Sequence, residues 1–409
     1  MKQLIILNHQ PDIPPFMLTE MQCANVFFDR IWYVNTRAPI NRNVFDGNEQ
    51  YVFLYPSSIQ RKCASIRALL DFFCLRSLKQ IHSFIKNKGF KWHYFRGLAR
   101  GFAADRCIRP IAQRIINQNE ARNCVVLSTW FGACAITAAH LKKRNPMLRA
   151  FSLAHSYEIL VSRSPNIPYY FVDFKHENLD GVYFIAEIMR DLYINGIGPL
   201  KEEYLKRMHV CHLGSIKDDN VLNVSDPSRF NICTCSRMIP LKRLDVLCEA
   251  LRSWAFGPVK WSHIGGGETE HRVKQLASEV MNNNPLVKIE FLGRKTNKQV
   301  KEYYRDNPAD VFCNLSSIEG VPISIMEAIS YGIPVIATDV GGTKEVVNSQ
   351  DGFLINRDIS ADSVRKVLES FVARSLEEKV ELRESTYKFW EEHFNAKVNA
   401  NLFFSIISV

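Results

Sequence analysis

The stretch SSIEGVPISIMEAISYGIPVIATDV, residues 316–340, decides the fold of the second half of the chain. It follows an apolar segment, 310–315, which predicts a buried strand. A helix is expected to begin near Pro322, because proline favours the first helical turn. Gly332 lies where that helix should end, and Pro334 opens the next apolar run. A strand, a helix and a strand in this order indicate a parallel sheet.

The same alternation extends outward over both halves of the chain. Predicted strands are 4–7, 31–34, 52–54, 125–127, 150–153, 182–185 and 210–213 in the first half, and 230–234, 259–264, 287–292, 310–315 and 334–338 in the second. Long amphipathic segments, such as 66–85 and 132–141, separate them. The pattern predicts an α/β protein with two doubly wound parallel sheets.

Domain boundaries follow from a polar break. Residues 216–228 are polar, contain Pro227 and are predicted to be a linker. This leaves an N-terminal domain of 1–215 and a C-terminal domain of 229–385. Residues 386–409 show apolar side chains at three- and four-residue spacing, so we predict a terminal helix that packs back on the N-terminal domain.

Composition narrows the class of protein. The chain has 409 residues, 46% hydrophobic and 23% charged, which excludes a disordered chain. No apolar run approaches the length of a membrane-spanning helix, and the opening run, 4–7, is too short for a secretory signal. Eleven cysteines without a CxxC pair indicate buried free thiols in a reducing compartment. We therefore expect a cytoplasmic protein.

Positive charge is concentrated in residues 61–116. The net charge is +10, and this segment holds thirteen basic and two acidic residues together with eight aromatic ones. Such a segment suits an anionic membrane surface, so peripheral association with the inner face of the cell membrane is expected. Nucleic acid would be attracted by the same charge but is not the predicted partner. A solvated helix face with core aromatics is the equally weighted alternative.

Two carboxylates in the deciding stretch are candidate ligand contacts. Glu319 lies in the loop after a strand and Glu327 on the second turn of the helix, so both are predicted to reach one cleft and bind sugar hydroxyls. Gly320 allows close approach of the backbone, and the helix N-terminus attracts a phosphate. Alone, either glutamate would be an ordinary surface or helix-dipole residue.

Three other strand ends carry candidate residues. Arg237 and Lys242 follow strand 230–234 and suit a diphosphate. The glycine turn around Gly266 is a weaker phosphate signal. His155 follows strand 150–153 and is either a sugar contact or a satisfied core histidine. No Asp-x-Asp occurs, so no metal site is predicted, and the absence of G-x-G-x-x-G after the first strand argues against a nicotinamide dehydrogenase.

These motifs resemble successive blocks of one family. SRMIPLKRLDVLCEAL (236–251), IGGGETEHR (264–272), FLGRKTNKQV (291–300) and residues 316–347 are similar to the donor-binding domain of retaining GT-B glycosyltransferases of family four, with Glu319 and Glu327 as the E-x7-E signature. The first half resembles bacterial surface-polysaccharide members (capsule, O-antigen, exopolysaccharide) more weakly, through AHSYEI (154–159), where members often carry aspartate in place of Glu158.

The resemblance implies two Rossmann-like domains that face each other across a cleft and a transfer of a hexose with retained configuration. The donor would be a UDP- or GDP-linked sugar with no divalent metal, and the acceptor a saccharide linked to a polyprenyl diphosphate. The implied roles are ribose binding by Glu327, diphosphate binding by Arg237 and Lys242, sugar binding by Glu319 with the backbone of Gly320, Val321 and Pro322, a base contact by Arg294 and a sugar contact by His155.

Other functions stay open at this stage. A sugar phosphorylase or a nucleotide-sugar epimerase of the same fold would share the phosphate-binding loops. A non-catalytic protein that binds through the basic 61–116 face is the alternative from another class, and its activity should survive the loss of Glu327.

Overall fold

The chain forms two compact units. The computed structural model describes residues 1–13, 15–40, 42–88, 92–159, 171–217, 222–226, 228–347 and 352–409. The first unit comprises residues 1–212 and 397–409, and the second comprises 213–396. Part of the predicted linker, 218–221 and 227, lies outside the described residues. The remainder falls in the second unit, where the Ser225 hydroxyl donates to the Asp310 carboxylate.

The first unit is built on a seven-stranded parallel sheet in the order β3-β2-β1-β4-β5-β6-β7. Its strands are β1 (Gln3–Asn8), β2 (Arg30–Asn35), β3 (Tyr51–Leu54), β4 (Cys124–Ser128), β5 (Arg149–Ala154), β6 (Gly181–Phe184) and β7 (Met208–Val210). Every residue of β1 is buried, as expected for a central strand covered on both faces. The order reverses between β1 and β4, so ligands are expected beyond the ends of these two strands.

Helices cover this sheet. They are α1 (Pro15–Ala24), α2 (Ser58–Ala68), α3 (Leu75–Lys88), α4 (Trp92–Asn119), α5 (Ala133–Arg144), α6 (Ser156–Ile159), α7 (Val172–Asn178), α8 (Glu187–Ile197) and α9 (Glu202–Leu205). A serine N-cap with a glutamine three residues later starts α2. A short 3₁₀ turn, Leu69–Phe73, follows it, so the amphipathic segment 66–85 is divided between α2, this turn and α3.

The second unit has a six-stranded parallel sheet in the order β10-β9-β8-β11-β12-β13. Its strands are β8 (Phe230–Cys235), β9 (Val259–Ile264), β10 (Val287–Phe291), β11 (Val311–Asn314), β12 (Val335–Thr338) and β13 (Gly352–Ile355). Its helices are α10 (Leu244–Arg252), α11 (Glu270–Asn283), α12 (Asn297–Asp306), α13 (Ile323–Ile329), α14 (Thr343–Val346), α15 (Ala361–Val372) and α16 (Leu376–His393). The switch point lies between β8 and β11.

The terminal helix differs from the expected one. Helix α16 ends at His393, and a new helix, α17 (Ala396–Ile407), follows after a break. The break resets the helical phase, so Leu402 and Ile406 of the predicted apolar stripe are exposed. Phe403 and Phe404 are buried instead, in the core cluster of the first unit. The end of the chain, from 397 onward, thus packs on the first unit.

The basic segment 61–116 forms most of α2 to α4. Among the described helices, none is both long and apolar enough to cross a membrane. Tyr94 and Phe102 are buried, so part of the aromatic content is core. Phe73 and Trp92 are 75% and 72% exposed. Phe90 and Lys91 of the segment lie outside the described residues.

Candidate functional site

The loops that follow β8 and β11 meet through a charged contact. The Lys242 ammonium donates to the Glu319 carboxylate. Ser316 Oγ donates to the same oxygen of Glu319 at 2.7 Å, and Asn314 Nδ2 lies 3.4 Å from it. Glu319 is only 6% exposed, so these donors fix one orientation of its carboxylate. The contact lies at the switch point of the sheet, where a ligand is expected.

Arg243 joins the same two loops and was missed from the sequence. Its Nε donates to the carbonyl of Leu315 at 2.6 Å, and a terminal nitrogen donates to the carbonyl of Ser316 at 3.0 Å. The residue adopts φ of 48°, a left-handed conformation that is uncommon for arginine. Strain of this kind is kept where surrounding contacts enforce it, which is the case here. The Arg243 side chain therefore links the loop after β8 to the loop after β11.

Glycines let the loop backbones approach each other. A Cβ at Gly265 would lie 1.8 Å from the carbonyl oxygen of Ser236, and one at Gly341 would lie 2.0 Å from that of Glu319. Gly342 N donates to the carbonyl of Gly320 at 2.7 Å. No larger residue fits at Gly265 or Gly341, because the opposing atoms are backbone. The glycine pair 341–342 was not among the predicted site residues, although it follows the end of β12.

Glu327 lies on the second turn of α13, as predicted. Asn297 Nδ2 donates to its carboxylate. Burial raises the pKa of Glu327 to about 7, while the Asn297 hydrogen bond and the charge of Lys301 act in the opposite direction. Burial raises the pKa of the Cys235 thiol, and the charges of Glu327 and Lys242 act on it in opposite directions, so both side chains lie near the end of β8.

The other predicted donor residues lie at the same edge of the sheet. Arg237, after β8, and Arg294, after β10, are exposed. The Arg294 side chain lies 3.5 Å from the position a Cβ would take at Gly266, so the loops after β9 and β10 are adjacent. Gly265 N also donates to the carbonyl of Gly293. The backbone of Gly320 and Pro322 is buried, and Val321 is half-buried, directly before α13.

In the first unit, His155 follows the end of β5 and is 4% exposed. Its ring packs on Trp130, with centroids 4.8 Å apart. Burial lowers the pKa of His155 to about 4, so the imidazole is neutral at pH 7. A neutral ring offers one donor and one acceptor, which suits a hydroxyl better than an anion.

The loop after β4 is held by a buried pair of opposite charges. The Phe131 amide donates to Glu158 at 2.8 Å, and the Lys175 ammonium donates to the Phe131 carbonyl at 2.9 Å. The ammonium also lies 3.7 Å from the centroid of the Phe131 ring. Burial raises the pKa of Glu158 and lowers that of Lys175, and their mutual attraction opposes both shifts. Glu158, which stands where the similar proteins often carry aspartate, thus still provides a carboxylate that supports this loop.

Two residues at the end of β1 complete this edge of the first unit, and no local sequence pattern indicates their role. Asn8 Oδ1 accepts from Trp130 Nε1 at 3.0 Å and from Thr129 Oγ1 at 3.2 Å. His9 packs edge-on against the same Trp130 and lies 3.4 Å from the thiol of Cys134. Aromatic and imidazole rings therefore gather at the switch point of this sheet.

Within the described part of the chain, no group of three or more His, Cys, Asp or Glu side chains is arranged to hold a metal ion. All eleven cysteines are free. Cys63 and Cys74 are exposed, so the expectation that the thiols are buried holds for only part of them.

Two parallel sheets, each with polar loops at its switch point, define the GT-B fold, and the predicted fold class is confirmed by solved structures. The structure of Anabaena Alr3699/HepE in complex with UDP matches with a TM-score of 0.66 and 14% identity over 99% of both chains. The lipopolysaccharide outer core galactosyltransferase WaaB matches with a TM-score of 0.64 and 13% identity, over 100% of this chain and 99% of WaaB.

Sequence comparison identifies the second half more narrowly. The family model Glycosyl transferases group 1 matches residues 202–389, which include most of the second unit. The uncharacterized glycosyltransferase MJ1178 of Methanocaldococcus jannaschii is 26% identical over 216 residues, 53% of this chain and 56% of that protein. The O-antigen biosynthesis glycosyltransferase WbnH of Escherichia coli is 35% identical over 92 residues, 22% of this chain and 24% of WbnH. The chain thus spans about half, or less, of the curated relatives that it matches.

Proposed function

We propose that the chain is a glycosyltransferase that moves a hexose from a UDP- or GDP-linked sugar to a saccharide acceptor with retained configuration. The observation that carries the proposal is the contact between Lys242 and Glu319 at the switch point of a Glycosyl transferases group 1 domain. It pairs a cation suited to a diphosphate with a carboxylate suited to sugar hydroxyls.

The second unit supplies the donor contacts in this proposal. Arg237 and Lys242 neutralise the diphosphate without a divalent metal, and Arg294 lies beside the base. Glu327 accepts from the ribose hydroxyls. Glu319 and the backbone at 320–322 orient the hexose.

Bond changes follow from the retained configuration. The bond between the anomeric carbon and the diphosphate oxygen breaks, and a bond to the acceptor hydroxyl forms on the same face of the sugar. The acceptor proton passes to the departing diphosphate oxygen. The charge that develops on this oxygen is stabilised by the Lys242 ammonium and the Arg237 guanidinium. His155, neutral at pH 7, contacts a saccharide hydroxyl.

A lipid-linked acceptor in surface-polysaccharide synthesis fits the surface of the first unit. Eight large apolar side chains between residues 58 and 92 are at least 40% exposed: Ile59, Ile66, Leu69, Leu70, Phe73, Leu78, Ile85 and Trp92. We call this set the apolar face of α2–α3. Lysines and arginines alternate with these residues along the sequence, and apolar groups interspersed with cations are typical of peripheral binding to an anionic bilayer. A polyprenyl diphosphate acceptor would reside in that bilayer.

Donor binding and turnover test the central proposal. A thermal-shift panel of UDP-, GDP- and ADP-sugars should show stabilisation by one base, because a ligand that binds only the folded state raises its stability. Nucleoside diphosphate should then be released only when a saccharide acceptor is present. Glu327→Ala should abolish both signals, while the exposed control Glu381→Gln keeps them. Stabilisation by none of the three donors would refute the proposal.

The membrane surface is tested separately. Phe73→Ser should weaken sedimentation with vesicles that contain phosphatidylglycerol, and Phe256→Ser, which removes an exposed ring in the second unit, should leave it unchanged. Loss of sedimentation in high salt is expected for both chains. Equal binding by the native chain and Phe73→Ser would contradict a role for the apolar face.

A further inference from the structure

A large cavity in the first unit lies between α2, α4 and the end of β3, and no function is assigned to it above. Its volume is about 610 Å³. Four arginines line it together with an apolar wall: Arg67, Arg106, Arg109 and Arg114, with Trp32, Leu54, Tyr55, Ile111 and Ile115 among the other lining residues. None of the described residues that line the cavity is acidic. Four cations around one space repel each other unless an anion or water screens them.

The two carboxylates of the segment 61–116 leave part of this charge uncompensated. Asp71 pairs with Arg106 through two hydrogen bonds, at 2.6 and 2.9 Å. Asp105 lies 3.3 Å from Arg109 and 3.5 Å from His140. Both acids are thus already engaged. Arg67 and Arg114 line the cavity and are exposed, and the segment has no further carboxylate to pair with them.

We propose that this arginine cavity binds the terminal phosphate or diphosphate of a membrane lipid. Guanidinium groups match phosphate oxygens in a fork geometry, and a terminal phosphate carries a charge of about −1.5 to −2. The apolar wall suits the first part of a lipid chain. Cys63, Ala64 and Arg67 of α2 line the cavity, while Ile59 and Ile66 of the same helix belong to the apolar face, so the cavity and the bilayer-binding surface share one helix. The proposal rests on the membrane binding proposed above and adds a headgroup site to it.

Replacing arginine by lysine tests a fork site against plain attraction, because the charge stays and the fork is lost. The native chain should bind phosphatidylcholine vesicles with phosphatidic acid at least threefold more tightly than vesicles of equal surface charge with phosphatidylglycerol. Arg67→Lys with Arg114→Lys should remove this preference and keep the phosphatidylglycerol binding. Arg96→Lys, an exposed arginine of α4 outside the cavity, is the matched control and should keep the preference.

Other outcomes overturn the proposal. Equal loss of preference in Arg96→Lys and in the double variant would leave membrane binding intact and remove the headgroup site. No vesicle binding by the native chain would refute both. Two soluble probes, dihexanoyl phosphatidic acid and inorganic phosphate, separate the sources of phosphate. Monomeric dihexanoyl phosphatidic acid, with UDP present, should bind the native chain and not the double variant. Binding of inorganic phosphate with equal affinity, or displacement of the lipid by a DNA duplex at equal charge, would assign the cavity to another ligand.

Discussion

The two units place different chemistry at equivalent positions of their sheets. At the switch point of the second unit, glycine loops and charged side chains predominate. Lys242 contacts the Glu319 carboxylate there, and Arg243 donates to the carbonyl of Leu315. At the switch point of the first unit, Asn8, Trp130 and His155 form a neutral cluster that contains two rings. The charges of the second unit suit a diphosphate, whereas the rings and the amide of the first unit suit the flat faces and hydroxyls of a saccharide.

The contacts that hold the loops at these two switch points differ as well. In the second unit the loops hold one another through backbone contacts, such as Gly342 N to the carbonyl of Gly320, and through the Arg243 side chain on the carbonyls of Leu315 and Ser316. In the first unit the loop at Phe131 depends on two buried charges, Glu158 and Lys175. A backbone contact tolerates changes of side chain, but a buried charge that loses its partner is costly. The first unit should therefore be the more sensitive to a single conservative substitution.

Lys175→Met tests this difference with the largest expected effect. It leaves the Glu158 carboxylate buried without its counter-charge, so we expect the free energy of unfolding of the first unit to fall by about 3–5 kcal/mol. Chemical denaturation followed by first-unit tryptophan fluorescence measures it. The loss should be smaller at pH 6 than at pH 8, because burial raises the pKa of Glu158 and allows it to take up a proton.

Two controls accompany this variant. Lys206→Met breaks an exposed pair with Glu202 and should change stability by less than about 1 kcal/mol. Adding Glu158→Gln to Lys175→Met should restore part of the loss, since no unpaired charge remains. If Lys175→Met were as mild as Lys206→Met, the loop would not depend on the buried pair.

Glu319→Gln tests the charged contact of the second unit. The side chain keeps its size but loses the charge that pairs with Lys242, so the orientation of both groups toward the donor is lost. We expect turnover to fall about 10²- to 10³-fold, as for removal of one charge-stabilising group, while the fold is retained. Steady-state release of nucleoside diphosphate measures the effect, and Glu381→Gln is the control. A change of less than threefold would remove Glu319 from the donor site.

The two units also differ in how much of each site could be predicted from the sequence. Much of the second unit could be predicted because its strands are short apolar runs bounded by Gly and Pro. Lys242 and Glu319 lie in the loops after β8 and β11, and Glu327 lies on the helix after the second of these loops. Sequence spacing places such residues at one edge of a parallel sheet without further information. The roles of Arg243 and Gly341 depend on contacts with residues about 20 to 70 positions away, which no local pattern shows.

Less of the first unit's site and of its last helix could be predicted from the sequence, for a physical reason. Asn8 and Trp130 meet across 122 residues, and an asparagine at a strand end has many ordinary roles. The exposed stripe on α17 was misjudged because a break of two residues before Ala396 changes which side chains face the core. Periodicity shows that a face is apolar, but not where a helix restarts.

The pH dependence of donor binding sharpens the assignment of Glu327. Ribose hydroxyls donate to an ionised carboxylate, and burial raises the pKa of Glu327 to about 7. The apparent Kd for UDP should therefore fall about tenfold from pH 6 to pH 8. Because the folded pKa lies above the ordinary value, the folded chain binds a proton that the unfolded chain has lost, and the free energy of unfolding without ligand should decrease as the pH rises from about 4.5 to 7.

Glu327→Gln is the control for this profile. It should bind UDP more weakly and show only the titration of the UDP phosphate itself, whose pKa is about 6. Isothermal titration at five pH values measures both chains. Identical profiles for the native chain and Glu327→Gln would assign the pH dependence to the ligand and remove Glu327 from ribose binding.

Asn297→Ala gives the smallest expected effect and separates the hydrogen bond from burial. The Asn297 amide donates to the Glu327 carboxylate and stabilises its charged form. Its loss, worth about 0.5–1.5 kcal/mol, should move the midpoint of the UDP-binding profile upward by roughly 0.4 to 1 pH unit, with affinity at pH 8.5 little changed. Lys298→Ala, an exposed neighbour on α12, should leave the midpoint in place. A downward shift in Asn297→Ala would mean that the amide stabilises the protonated carboxyl, and the donor ribose would then have to meet a neutral Glu327.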